Sequence, residues 1–179
     1  MSSRHAPSRP AELRPATEAD REFLLELYAS TREEELAQVE WADGARAAFL
    51  EHQFSAQDQH YRANYPGATL DVIEADGERV GRLYVHRGEA DIRIMDIAVA
   101  PPFRGQGIGS GLVEGLMDEA RSSGRTLSIH VEMHNPARSL YDRLGFVPVG
   151  EHGVYVLMKW RDRSTGASVD EAPSGMDLA

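Results

Sequence analysis

Between residues 99 and 111 the chain reads Val-Ala-Pro-Pro-Phe-Arg-Gly-Gln-Gly-Ile-Gly-Ser-Gly, with glycine at every second place from Gly105 to Gly111. Glycines let successive backbone N–H groups converge on one point, and a helix start adds partial positive charge. Such a segment suits a phosphate or pyrophosphate. A Walker-type phosphate loop needs Gly-Lys-Ser/Thr, and the sole lysine is Lys159, so that chemistry is discarded. A dinucleotide loop needs GxGxxG directly after the first strand. Here Ser110 stands at the third glycine place, and Pro101-Pro102-Phe103-Arg104 separates the loop from its strand. Two readings remain: a flexible helix entry without a ligand, and the pattern Arg/Gln-x-x-Gly-x-Gly/Ala, matched by Arg104, Gly107 and Gly109.

Composition narrows the chemistry further. The 179 residues suffice for one globular domain, and with 41% hydrophobic residues a core can form without staples. With 0 cysteines, disulfides, thiolate metal sites and cysteine nucleophiles are excluded, and no metal is expected. No apolar run approaches the roughly 20 residues that cross a bilayer. The opening MSSRHAPSRP has no apolar block after its basic residues, so it does not read as a secretory signal. The chain therefore reads as soluble and cytoplasmic. Its formal charge of -10 repels nucleic acid overall, although a local basic patch is compatible with it. That charge suits a cationic small molecule or peptide amine, and equally plain solubility.

The elements that must position the loop can be read from periodicity. Glu12–Pro15 reads as a short edge strand, and Thr17 as a helix cap with acidic residues behind it. Phe23, Leu24, Leu27 and Tyr28 mark a first helix. Asp43 is expected to cap a second, running through Ala47, Ala48, Leu50 and Phe54 towards Tyr61. Residues 69–74 and 79–86 read as strands joined by an Asp76-Gly77 hairpin turn, and 91–100 as a central strand. Ile108, Leu112, Val113, Leu116, Met117 and Ala120 mark a helix ending near Gly124, followed by a strand over Thr126–Glu132. Asn135 and Pro136 have the types of an N-cap and a first helical residue, for a helix closing at Leu144-Gly145. Residues 146–149 and 154–160 complete a strand pair. The order β-α-α-β-β-β-α-β-α-β-β predicts an α/β or α+β sandwich: a mixed, mostly antiparallel sheet of about six to seven strands flanked by about four helices. Residues 1–10 and 162–179 read as disordered tails around a single domain over 11–161.

On the residues 104–109, the DIAV strand before them and the amphipathic helix after them, the sequence resembles the GNAT superfamily of acetyl-CoA-dependent N-acetyltransferases. The resemblance continues through NPARSLYDRLGF, from Asn135 to Phe146, and covers roughly 69–160, more weakly the two N-terminal helices. It implies a central strand broken by a bulge and splayed from the strand beyond the glycine helix, with the pantetheine arm of acetyl-CoA in the gap. Ile97, Ala98 and Val99 would then face pantetheine through main-chain atoms. Backbone N–H groups of Arg104, Gly105, Gln106, Gly107, Ile108, Gly109 and Ser110 would hold the pyrophosphate, with the Ser110 hydroxyl as an extra donor. Asn135 would touch the cofactor besides capping its helix. Tyr141 would lie beside the cofactor sulfur and protonate or hydrogen-bond the departing thiolate.

The implied reaction is direct attack of a neutral amine on the thioester. An alkylamine has a pKa near 10, so it must lose a proton first. Asp96, beside the bulge, and Glu132, at the end of the strand across the gap, are the leading bases. His130 and His86 are ambiguous and more often structural in such positions. Gln53, Gln57, His60 and Tyr61, and the acidic run Glu33-Glu34-Glu35, are placed to line an acceptor pocket, the run reading more readily as a solvated helix face. The expected activity is transfer of acetyl to a primary amine of a small or cationic acceptor. Alternatives are a protein N-terminus, a lysine, charged transfer RNA, or a sensor domain that binds acyl-CoA without turnover. A homodimer stands as an open option.

Overall fold

Asp76 and Gly77 both take left-handed backbone angles (φ 53° and 79°), and this is the geometry that a two-residue hairpin between twisted strands requires. They join β2 (Thr69–Ala75) to β3 (Glu78–Arg87), and β4 (Asp91–Val99) continues the meander. The computed structural model describes residues 9–162 and 164. In chain order the other elements are β1 (Glu12–Pro15), α1 (Arg21–Thr31), α2 (Glu33–Leu36), α3 (Ala45–Asn64), α4 (Ile108–Ser123), β5 (Thr126–Glu132), α5 (Arg138–Arg143), β6 (Val147–His152) and β7 (Tyr155–Trp160). The seven strands form one sheet in the order β1-β2-β3-β4-β5-β7-β6, with every pair antiparallel except β4 and β5. The mixed sheet is as expected, with one helix more than the sequence suggested, because the Glu33-Glu34-Glu35 run forms α2.

The period-two strands give the sheet two unlike faces. One carries Ile73, Leu83, Val85, Ile92, Ile94, Leu127, Ile129, Val131, Val156 and Met158, packed with Val113, Leu116 and Ala120 of α4 and with Tyr141 and Phe146. Each buried aliphatic side chain there contributes about 2 kcal/mol. The other face has a smaller apolar cluster, in which Val72 meets Leu24 and Tyr28 of α1 and Phe54 of α3. This thinner cover leaves room for polar groups beneath α1 and α3.

Three boundaries differ from expectation. Asp43 does not cap α3: the Ala45 N–H turns back to the Ala42 carbonyl (3.0 Å) and Gly44, at φ 74°, is the cap, so Asp43 lies inside the turn. Regular α5 begins at Arg138. Asn135 still caps what precedes it, its Oδ1 accepting the Ala137 N–H (2.8 Å) and its carbonyl accepting the Arg138 N–H (3.0 Å). The expected tails fall largely outside the described residues, but Arg9, assigned to the first of them, is bonded to Asp76 and Gln106. At the other end Asp162 pairs with Arg121 (3.2 Å).

Candidate active site

β4 and β5 pair only from Asp91 to Ile94 against Thr126 to Ile129, and beyond that they part. The parting begins at a bulge. Tyr84 opposes Asp96 while Val85 opposes Ile94, so Met95 is the extra residue. The Ala100 N–H donates to the Val80 carbonyl (2.8 Å). Antiparallel ladders alternate, so Ala98 and Asp96 exchange bonds with β3, and the peptide groups of Ile97 and Val99 turn towards the gap. A cleft of about 290 Å³ opens there, lined by Asp96, Ile97, Ala98, Glu132, Asn135 and Tyr141 among others.

At its mouth Gly105 (φ 74°) and Gly107 (φ 77°) take backbone angles that cost a side-chain-bearing residue about 1–2 kcal/mol. The amides of Gly105, Gln106, Gly107, Ile108, Gly109 and Ser110 donate to no acceptor among the described residues. Six free donors at the head of α4, a helix of 16 residues, make a cradle with the chemistry to take an anion. Arg104 corrects one expectation. Its N–H is directed to the Pro101 carbonyl (3.3 Å) by the short 3-10 turn Pro101–Phe103, and is not part of the cradle. Its side chain folds back instead, with Nε donating to the Val99 carbonyl (2.8 Å) and Nη2 to Ser30 Oγ (3.4 Å). It braces the end of β4 against α1.

A buried polar cluster forms the floor on the α1/α3 side. Arg82, 2% exposed, donates from Nη2 to Asp96 Oδ2 (2.5 Å) and Gln57 Oε1 (3.1 Å). Its guanidinium lies over the rings of Tyr84 (5.2 Å) and Tyr28 (5.9 Å), and its Nε has no hydrogen-bond partner among the described residues. Burial works against its charge, yet Asp96, with Tyr84 and Tyr61, outweighs it, and its pKa stands above the ordinary arginine value. The Tyr61 hydroxyl sits 3.5 Å from Asp96 Oδ2 and 3.4 Å from the Met95 carbonyl. Burial first, and the Asp96 charge second, hold that phenol well above its ordinary pKa. The sequence reading missed Arg82. Its signal was available: in RLYVHR it shares a face with Tyr84 and His86 against Leu83 and Val85, a cation in the middle of a buried strand.

Across the gap the pairing places His130 and Glu132 on one face of β5, opposite Leu157 and Tyr155 of β7. The Glu132 carboxylate makes no hydrogen bond or ion pair among the described residues. His130 also lines the cleft, and burial, then the nearby Arg93 and His152, lower its pKa, which favours the neutral imidazole. Tyr141 has its ring buried edge-on to Phe146 (5.5 Å), while its hydroxyl, on the cleft, bonds to no described residue. Burial first and Asp96 second raise its pKa, so it stays protonated. The remaining candidates divide. Gln57, Tyr61 and Glu35 line the cleft, Gln53 and His60 do not, and His86 meets Tyr65 edge-on (5.5 Å) away from it; Arg32, which the sequence reading did not single out, also lines it. Glu33 pairs with Arg46 (2.7 Å) and Glu35 with Arg32 (2.9 Å), so most of the acidic run is engaged on the surface.

Comparison with known proteins gives concordant results. The family model described as acetyltransferase (GNAT) family matches residues 24–146. A Bacillus subtilis protein named a candidate ribosomal protein bS18-alanine N-acetyltransferase is 31% identical over 110 residues, covering 56% of this chain and 73% of its own. The 5-NmdU N-acetyltransferase of Pseudomonas phage PaMx11 is 35% identical over 105 residues, 55% of this chain and 74% of its own. Among solved structures, the PaiA N-acetyltransferase of Thermoplasma acidophilum in complex with coenzyme A superposes with a TM-score of 0.65 at 15% identity, covering 86% of this chain and 99% of that one. At that identity the likeness speaks for the fold alone.

Proposed function

The chain belongs to the acetyltransferase (GNAT) family, and from that premise we propose that it transfers the acetyl group of acetyl-CoA to a primary amine of a small, cationic acceptor. The observation that carries this reading is the parting of β4 from β5 with six unbonded amides at its mouth. The diphosphate of the thioester fits those amides, and the turned peptide groups of Ile97 and Val99 fit an extended amide-bearing arm. That a protein of the same fold is named as a coenzyme A complex supports the choice of cofactor. The Val99 carbonyl is already taken by Arg104, which leaves the Ile97 groups and the Val99 N–H for that arm.

Acetyl-CoA supplies an activated acetyl carbon. The residues of the cleft do the rest. Glu132 accepts the proton that the acceptor ammonium must lose, directly or through water, since it is the carboxylate left unpaired. Asp96 does not serve as that base in our reading, because Arg82 occupies it. As the amine nitrogen bonds to the acetyl carbon and the carbon–sulfur bond breaks, the nitrogen loses its second proton through water to solvent or to the departing sulfur, and the Tyr141 hydroxyl donates a hydrogen bond to that sulfur. An ordinary thiol has a pKa of about 8.5, below that of this raised phenol, so Tyr141 stabilises the thiolate by a hydrogen bond rather than by complete proton transfer. The Val99 N–H polarises the thioester oxygen.

Charge defines the acceptor class. Arg82 is neutralised by Asp96 and Arg32 by Glu35, and His130 favours its neutral form, so Glu132 is the uncompensated charge of the cleft. A cation is therefore favoured beside it. The named acceptors of the two relatives, a ribosomal protein alanine and 5-NmdU, are different compounds and both join the test. Calorimetry with CoA, then acetyl-CoA consumption across polyamines, amino acids, aminoglycosides, alanine-terminated peptides and 5-NmdU, checks the proposal. Binding without turnover of any amine would favour the sensor alternative, and absence of binding would end both readings.

A further inference from the structure

The phosphate cradle is held from outside the loop by a residue that its sequence motif does not include. The Arg9 main-chain N–H donates to the Gln106 carbonyl (3.1 Å), and its Nη1 donates to Gln106 Oε1 (2.9 Å). The same guanidinium donates from Nε (3.0 Å) and Nη2 (2.5 Å) to Asp76 Oδ2 in the β2–β3 turn, and lies 5.5 Å over the Phe103 ring. Gln106 in turn donates from Nε2 to the Pro102 carbonyl (3.1 Å). Arg9 thus ties three pieces together: the hairpin turn, the 3-10 turn before the loop, and the peptide between the two left-handed glycines.

The geometry of that peptide gives the contact a consequence. All described peptide bonds are trans, so the carbonyl of Gln106 and the N–H of Gly107 point in opposite directions. With the carbonyl fixed on Arg9, the Gly107 N–H is turned to the other side, where its neighbours also lack acceptors. Gly107, on one side of this peptide plane, carries no Cβ to oppose its rotation, so the plane is freer to flip than one between two side-chain-bearing residues. We propose that Arg9 is a positioning residue for the CoA diphosphate, acting through Gln106 to keep the Gly107 amide in the cradle; this rests on the diphosphate reading of the loop above. Arg9 itself does not touch the diphosphate, since its charge is spent on Asp76. The hold combines exposed contacts of modest strength, so its effect is a moderate one.

The test compares the unaltered full chain with Arg9→Ala, Asp76→Asn and the double variant. Asn retains tolerance of the left-handed angle at position 76 while removing the charge. Calorimetry with CoA and initial rates with acetyl-CoA are set beside rates with acetyl-pantetheine, which has the thioester and the arm but no diphosphate. Arg9→Ala is expected to weaken CoA binding three- to tenfold and raise the KM for acetyl-CoA similarly, with kcat within twofold. Asp76→Asn should show part of that loss, and the double variant no more than Arg9→Ala alone. The acetyl-pantetheine rate should not move. A CoA affinity within twofold of the unaltered chain, or a parallel fall with acetyl-pantetheine, overturns the proposal. If the unaltered chain takes up no CoA, the loop reading fails and this inference fails with it.

Discussion

Arg82 and Asp96 meet at 2.5 Å across adjacent strands, both largely shielded from water, and each determines what the other can do. The carboxylate keeps a buried cation tolerable, and the cation withdraws that carboxylate from proton transfer. Breaking such a pair from one side strands the other charge, at about 3–5 kcal/mol. Asp96→Asn is therefore expected to lower the Tm by many degrees, with any loss of turnover following the folded fraction. Thermal melts and rates measured on the same samples separate the two. An Asp96→Asn chain with an unchanged Tm and abolished kcat would make Asp96 the base after all.

Glu132→Gln should behave in the opposite way. Its carboxylate is exposed and unpartnered, so stability should shift by no more than about 0.5 kcal/mol. Loss of a proton acceptor should cost about a hundredfold in kcat. The loss should shrink as pH rises, because more of the acceptor amine is then already neutral. A pH–rate profile of the variant against the unaltered chain is the measurement.

Tyr141→Phe removes a hydroxyl that bonds to no described residue, so folding should be unaffected or slightly favoured. Turnover should fall at least tenfold while the CoA Kd stays within twofold. Equal loss of rate and affinity, or no change in either, would remove the hydroxyl from the reaction.

The glycine loop, the strand leading into it and the order of elements were legible because each is a local pattern: alternation, period 3.6, or glycine where a turn needs it. Tyr141 and Asn135 were reachable through the motif that contains them. The Arg82–Asp96 pair was not, because it joins positions 14 residues apart in sequence through a register that a single bulge at Met95 shifts. Without that shift the two candidate carboxylates could not be ranked. The Arg9 contact was hidden for a similar reason: Gln106 is 97 residues away, and the segment around Arg9 has the composition of a tail. Asp43 was misread because a capping residue type says nothing about the left-handed turn at Gly44 that displaces it by one position.

Gly107→Val tests the cradle itself. Valine at φ 77° is strained, which should cost about 1–2 kcal/mol of stability. Relief of that strain reorients the amides around it, so CoA binding should fall below detection in calorimetry while circular dichroism still reports a folded chain. Gly115→Ala, in the open interior of α4 with nothing within 4 Å of the added carbon, is the control: equal or greater stability and unchanged CoA affinity.

Acid sensitivity should centre on Asp20. This carboxylate, 2% exposed, takes donors from Arg14 (2.8 Å to each oxygen), Arg79 (3.3 Å) and the Thr17 N–H (2.8 Å), joining β1, the 3-10 turn Glu18–Asp20 and β3. The Arg14 bonds, against the opposing effect of burial, hold its pKa far below the ordinary carboxylate range. In the unfolded chain it titrates near 3.8. Below that value the unfolded state binds a proton that the folded state refuses, so the stabilisation present above about pH 4 drains away as pH falls. His130 adds a loss of the same sign in a higher window, below about 6.5, because its folded pKa is also lowered. Asp20→Asn should destabilise the chain by about 2 kcal/mol at pH 7. Urea midpoints at pH 7, 5 and 3 should show the gap between the two chains unchanged from 7 to 5 and much reduced at 3, while the His130 contribution moves both chains alike. A gap that persists undiminished at pH 3 would mean that the Asp20 charge contributes nothing to the fold.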